Sequence, residues 1–227
     1  MPADKNLIII WKGRQVQVTR TAARRNSLTV KIDGDRILVR TSLRYPTDAI
    51  YDFLNRKESW IMKHLENPKI RVAFEWANGQ DVYILGRRYT LRLMYAPRGK
   101  SELRDDDCII YGPSEKSWQN AYRKHAEGIL DVLLDEFRRQ LRYDVGDYTL
   151  KYRFYSSRWG CCFWKRREIL INYYCVAMPV EAIKYIFYHE LAHLEVNNHQ
   201  KEFYDHLSQL DPDYKTGMKL SRAYIIQ

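Results

Sequence analysis

His-Glu-Leu-Ala-His at residues 189–193, with His199 six positions further on, restricts this chain more than any other stretch. Two histidines four residues apart project from one face of a helix, so both imidazoles reach a single ion if the segment is helical. Glu190 lies beside them, where it can handle the proton of a metal-activated water. With six His and twelve Glu in 227 residues, a chance H-E-x-x-H would occur in roughly one such chain per hundred. Three His ligands occupy three tetrahedral positions and leave the fourth for water, as a hydrolytic zinc site requires. Glu195 and Glu202 compete with His199 as third ligand. Glu195 falls in the turn and Glu202 inside the next apolar-periodic helix, which favours His199. His64, His125 and His206 have no partner at ligand spacing and read as surface or core histidines.

The surrounding pattern is α+β. Residues 7–45 read as short strands: LIIIW and QVQVTR around Lys12-Gly13, then LTVKI and RILVRT around Asp33-Gly34-Asp35. One helix follows, with Thr47 at its N-cap and Ile50, Phe53, Leu54, Ile61 and Leu65 on its apolar face, ending at Asn67-Pro68. RVAFEW, DVYILG, YTLRLMY and CIIYG continue as strands, and neither an internal repeat nor a phosphate loop is visible. Gly112-Pro113-Ser114 marks a change to helical pattern. The expected division is therefore 1–113, a mainly antiparallel β region with one helix, and 114–227. Apolar residues from Ala121 to Leu141 predict a long helix over Ser117–Tyr143. TLKYRFYSSRWGCCF and REILINYY predict two strands joined by Trp164-Lys165-Arg166-Arg167. Pro179 then opens the helix that carries the motif, with Ile183, Ile186, Phe187, Leu191 and Leu194 on its buried side. Asn197-Asn198 tolerate the left-handed conformation that ends a helix and would bring His199 back. A short helix with Phe203, Leu207 and Leu210 ends at Asp211-Pro212.

A net charge of +10 points to polyanionic partners such as nucleic acid, nucleotides or acidic protein. The basic residues form small clusters: Arg24-Arg25, Arg87-Arg88, Arg138-Arg139 with Arg142, and Lys165-Arg166-Arg167. No apolar run approaches a membrane span, and MPADKNLIIIW lacks a secretory cleavage site, so a cytoplasmic location without membrane contact is expected. Cys108, Cys161, Cys162 and Cys175 show no metal-ligand spacing and read as reduced thiols.

Arg158-Trp159-Gly160 with Cys162, Ile169-x-Ile171-Asn172, HELAHL at 189–194, and Asn198-His199 with Phe203 together resemble the YgjP-like metal-dependent hydrolase family. That family is related to the SprT-type H-E-x-x-H zinc metallopeptidases. Softer similarity covers Arg-Asn-Ser-Leu near position 25, Trp60-Ile61-x-Lys63-His64 and Ile84-Leu85-Gly86-Arg87-x-Tyr89. The resemblance implies a small zincin-like core of long helix, short sheet and active-site helix. It implies Zn2+ held by His189, His193 and His199, and Glu190 as the catalytic base. It also implies an edge strand near Ile169–Tyr174 that receives an extended substrate, with Asn172 and Tyr174 as substrate contacts. Cys161 stands where Ser is common in the family. Val196 replaces the Gly of the metzincin H-E-x-x-H-x-x-G-x-x-H motif. Arg158 could contact substrate or stabilise developing negative charge, whereas packing roles suit Trp159 and Gly160 equally well. Three activities follow as expectations: a zinc metallopeptidase, a nucleotide pyrophosphatase acting on UTP, or a SprT-like protease module reaching nucleic acid through Lys165, Arg166 and Arg167.

Overall fold

The computed structural model describes residues 5–22, 27–33 and 35–226. Contacts divide the chain into two units, residues 1–69 and 70–227. In the first, β1 (Lys5–Trp11), β2 (Arg14–Thr21), β3 (Thr29–Asp33) and β4 (Arg36–Ser42) form a sheet in the order β1-β2-β4-β3. Each hairpin is antiparallel, but β2 and β4 are parallel. The hairpins meet through their second strands, which run the same way, so the expected antiparallel region is a mixed sheet. Lys12 and Gly13, both at positive φ, make the two-residue turn whose twist suits a hairpin. Gly34 of the expected Asp-Gly turn and the Arg24-Arg25 cluster lie outside the described residues. Alternation sends Val16, Val18, Ile37 and Val39 to one face, where Ile50, Leu54 and Ile61 cover them. The expected single helix is two: α1 (Thr47–Arg56) and α2 (Glu58–Glu66) meet at Lys57, whose ψ of 7° leaves the helical range. Pro46 precedes the first turn, and the Thr47 hydroxyl accepts a hydrogen bond from Arg20 instead of capping.

The second unit opens with β5 (Ile70–Arg71) and a second four-stranded sheet. Its strands are β6 (Asp81–Ile84), β7 (Arg87–Tyr95), β8 (Lys100–Arg104) and β9 (Asp107–Gly112), in the order β6-β7-β9-β8. The central β7–β9 pair is again parallel. The repeat absent from the residues is thus present in the topology: two hairpins joined through their second strands, then a helix. That helix is α3 (Glu115–Arg139), capped where the Ser114 hydroxyl accepts from Ser117 N–H. Gly112-Pro113-Ser114 is therefore a strand-to-helix junction inside this unit. Val82, Ile84, Leu91, Cys108 and Ile110 share one core with Tyr122, Ala126, Leu130 and Leu134 of α3.

A three-stranded sheet follows, built from β10 (Thr149–Arg153), β11 (Gly160–Phe163) and β12 (Glu168–Asn172) in the order β10-β12-β11. The stretch expected as one strand, 149–163, is broken because residues 154–159 cross the end of β12 from one of its edges to the other. Asn172 fixes that crossing: its Nδ2 donates to the carbonyls of Tyr155 (2.8 Å) and Arg158 (3.1 Å). A 3-10 turn at Tyr173–Ala177 leads to α4 (Val180–Ala192), then α5 (Lys201–Leu210) and α6 (Tyr214–Ser221). Finally β13 (Tyr224–Ile225) pairs in parallel with β5. Among the described residues the molecule is α+β, with six α-helices and several small sheets. No described helix is long and apolar enough to cross a membrane.

Candidate metal centre

α4 is buried on most sides by Ala182, Ile183, Ile186, Phe187, Tyr188, Glu190, Leu191 and Ala192, as befits a helix at the middle of a core. Both of its ends are held. The Leu85 and Gly86 N–H groups of the β6–β7 turn donate to the Val176 and Ala177 carbonyls (2.6 and 3.1 Å) just ahead of it. Towards its other end the Tyr188 hydroxyl donates to the Phe137 carbonyl of α3 at 2.7 Å. Beyond His193 the chain reverses. No described Asn lies at positive φ. The turn is closed instead by the Asn198 side chain, which accepts from Gln200 N–H at 3.1 Å.

The reversal brings His199 Nε2 to 3.1 Å from Nε2 of both His189 and His193. Nδ1 of His193 faces the Val196 carbonyl at 2.9 Å and carries its proton there, which leaves a bare lone pair on Nε2. Nδ1 of His189 lies 3.4 Å from the Tyr185 hydroxyl, one turn back along α4. Three imidazoles crowded together by Nε2 have more lone pairs than protons to share, and a cation between them resolves the repulsion. A tetrahedral zinc with bonds of about 2.0–2.1 Å asks for ligand atoms roughly 3.3 Å apart, which His199 nearly meets with each of the other two. The buried ring of Phe203 is their floor, its centroid 4.5–4.9 Å from all three imidazoles. Burial, and then the neighbouring imidazoles, pushes His189 down to about 3. Burial also lowers His193, with the Val196 carbonyl opposing. Both rings are held in the neutral form that binds metal.

Glu190 is 7% exposed, and burial raises its carboxyl to about 8, with Arg158 pulling the other way. Gly160, at the start of β11, makes room for it: a Cβ there would sit 2.6 Å from Glu190 Cγ and Oε1. The strand beside the site is thus β11, which among the described residues pairs on one side only. β12, expected as the edge, lies between two strands and has none to offer.

The expected substrate contacts separate accordingly. Arg158 is exposed beside Glu190, its guanidinium 5.5 Å from the Tyr155 ring centroid. Asn172 is fully buried, and its side chain is occupied by backbone groups, including Tyr174 N–H at 3.1 Å. Tyr174 is buried among Phe74, Tyr122, Phe154 and Tyr173. Neither reaches the cleft, because β12 is interior. Trp164, Lys165 and Arg166 are exposed on the β11–β12 connection. Arg167 is a brace, donating to the Val145 and Asp147 carbonyls and pairing with Glu195 at 3.5 Å. The four cysteines are free.

Two recesses flank the histidines, both reaching Gly160, His189, Glu190 and His199. One, of about 410 Å³, is lined by Arg158, Cys161, Cys162, Trp164 and Asn197. The other, of about 460 Å³, is lined by Trp159, Tyr185, Ile186, Tyr204, Met218 and Arg222. Tyr185 could have been read from its position four residues before His189. Met218 and Arg222 could not, since only the packing of α6 brings them near. In comparisons with known proteins, a family model described as the YgjP-like metallopeptidase domain matches residues 26–220. No curated protein and no solved structure matches the chain.

Proposed function

The chain belongs to the YgjP-like metallopeptidase family, and from that premise we propose that it is a zinc-dependent peptidase of zincin-like architecture. Its metal ligands would be His189, His193 and His199, and its general base Glu190. The observation that carries the reading is the cluster of three imidazoles, with His199 Nε2 3.1 Å from Nε2 of both His189 and His193 and all three ligand atoms within 4.8 Å of one another, beside a buried carboxyl one residue along the same helix. Zinc bound there supplies Lewis acidity, making a water acidic near neutral pH and polarising the scissile carbonyl. The chain's own groups do the rest. Val196 and Tyr185 orient the imidazoles, and Phe203 fixes their depth. Glu190, whose buried carboxyl a cation on the three histidines would hold ionised, takes the proton from the attacking water at its carboxylate and passes it to the leaving amine. The free edge of β11 offers backbone N–H and C=O groups to an extended peptide, which would lie across Gly160 beside Glu190. Arg158, exposed at the same end, is placed to meet negative charge developing on the carbonyl oxygen.

Hydrolysis of a nucleotide phosphoanhydride is the competing reading, favoured by the two cations, Arg158 and Arg222, that flank the histidines. The two readings part in one experiment. Protein purified without added metal should carry about one zinc per chain. Casein and UTP are then offered to the parent and to Glu190→Gln. Casein hydrolysis that falls by about 10²–10⁴-fold in the variant, with its zinc retained, is the expected result. Turnover of UTP alone would replace peptide with phosphoanhydride, and full activity in Glu190→Gln would remove that residue as the base.

A further inference from the structure

We propose that the recess between α4 and α6 takes a large apolar side chain of a peptide substrate, and that Arg222 pairs with a carboxylate of the same peptide. This deepens the peptidase reading and rests on it. The recess shares its inner end with His189, Glu190 and His199, so a side chain seated in it belongs to a residue next to the scissile bond. Its volume of about 460 Å³ lies within the range of ligand pockets, on the order of 300–1,000 Å³. Trp159, Tyr185, Ile186, Tyr204 and Met218 give it aromatic and aliphatic walls.

Helix packing sets its depth. Gly217 brings the backbone of α6 hard against α4: a Cβ there would clash with the Glu181 carbonyl oxygen and lie 2.6 Å from Tyr185 Cβ. Met218 and Arg222 follow on the next face, four residues apart, and stand at the recess together. Arg222 arrives with its charge unanswered. Among the described residues its one hydrogen bond goes to the thioether of Met218, at 3.5 Å, and no carboxylate lies within ion-pair distance. A guanidinium that lines a cleft with no carboxylate beside it is a ready partner for one. The recess on the other flank lacks this pairing of apolar walls with a free cation: there Arg158 stands among two thiols, Trp164 and Asn197, close to Glu190. Side-chain selectivity therefore falls on the α4–α6 side.

Zinc-loaded Glu190→Gln protein, which holds substrate without turning it over, provides the test by calorimetric titration. The probes are short peptides ending in Phe as free acid, the same peptides amidated, and free-acid peptides with Gly in place of Phe. A fourth peptide is amidated but carries Glu beside the Phe. The Phe acid is expected to bind about tenfold more tightly than the Phe amide and the Gly acid. Adding Arg222→Glu should bring the acid-to-amide ratio to about one, and Arg222→Lys should restore part of it. Tight binding of the Glu-containing amide makes a side-chain carboxylate the partner; weak binding makes it the C-terminus. Equal binding of Phe and Gly peptides, or an acid-to-amide ratio unmoved by Arg222→Glu, overturns the assignment. If parent enzyme cleaves peptides without these preferences, the pocket assignment alone falls. If it cleaves UTP and neither binds nor cleaves peptide, the peptidase reading falls with it.

Discussion

Gly160 is the residue on which the placement of Glu190 turns. Nothing on β11 stands between its backbone and the Glu190 carboxyl, and a methyl group added there would occupy the carboxyl's own space. Gly160→Ala should therefore displace the carboxyl by about an ångström and lower turnover about 10²-fold. Zinc content is expected to stay at parent level, since the three histidines are untouched. Unchanged turnover would mean that Glu190 need not hold this position. Glu190 also ties activity to stability. Its carboxyl is raised from the ordinary 4.5 to about 8 in the folded chain. The stability it contributes is therefore complete below pH 4.5 and is lost as pH rises through 8. Metal-free Glu190→Gln, which keeps a neutral side chain, should match the parent near pH 4.5 and melt at a higher temperature above pH 8. Identical melting curves at high pH would show that the carboxyl is not held neutral by burial.

Among the elements, α6 has the tightest seating against the site helix. Gly217→Ala should push it off α4 and destabilise the protein by about 1–3 kcal/mol, the usual range for overpacking; thermal melting reads this directly, and an unchanged midpoint would show that α6 is free to shift. Which elements could be read from the residues follows from the range of the forces that set them. α4 and its His pair were legible because a 3.6-residue period and ligand chemistry are local properties. The hairpin at Lys12-Gly13 was legible because two adjacent residues make the turn. The break at 154–159 was hidden because the residues around it alternate much as a strand does. What splits them is Asn172, donating to Tyr155 and Arg158 carbonyls from another strand. The same non-local fact put Asn172 and Tyr174 inside the protein and left the open edge to β11. Arg222 was illegible for a related reason: 32 positions after Glu190, it reaches the cleft only because Gly217 lets α6 approach.

Across the whole molecule, one arrangement of four strands and a following helix occurs in each unit, built from residues that show no repeat. The shared features are geometric: hairpins joined through their second strands, and alternate apolar residues beneath a helix. The two copies differ sharply in charge. Residues 1–69 hold 14 basic against 7 acidic side chains, and residues 70–227 hold 24 against 21. The +10 of the chain is therefore chiefly a property of the first unit, whereas the candidate site lies wholly in the second. Each unit also buries its own core. A fragment of residues 70–227 should accordingly fold with a single cooperative melt, bind zinc and cleave whatever peptides the full chain cleaves. On an immobilised polyanion such as heparin it should elute at much lower salt than the full chain, because a net +3 releases fewer counterions than +10. Elution at the same salt would return the polyanion contact to the second unit, where Lys165 and Arg166 are the exposed cations on the β11–β12 connection.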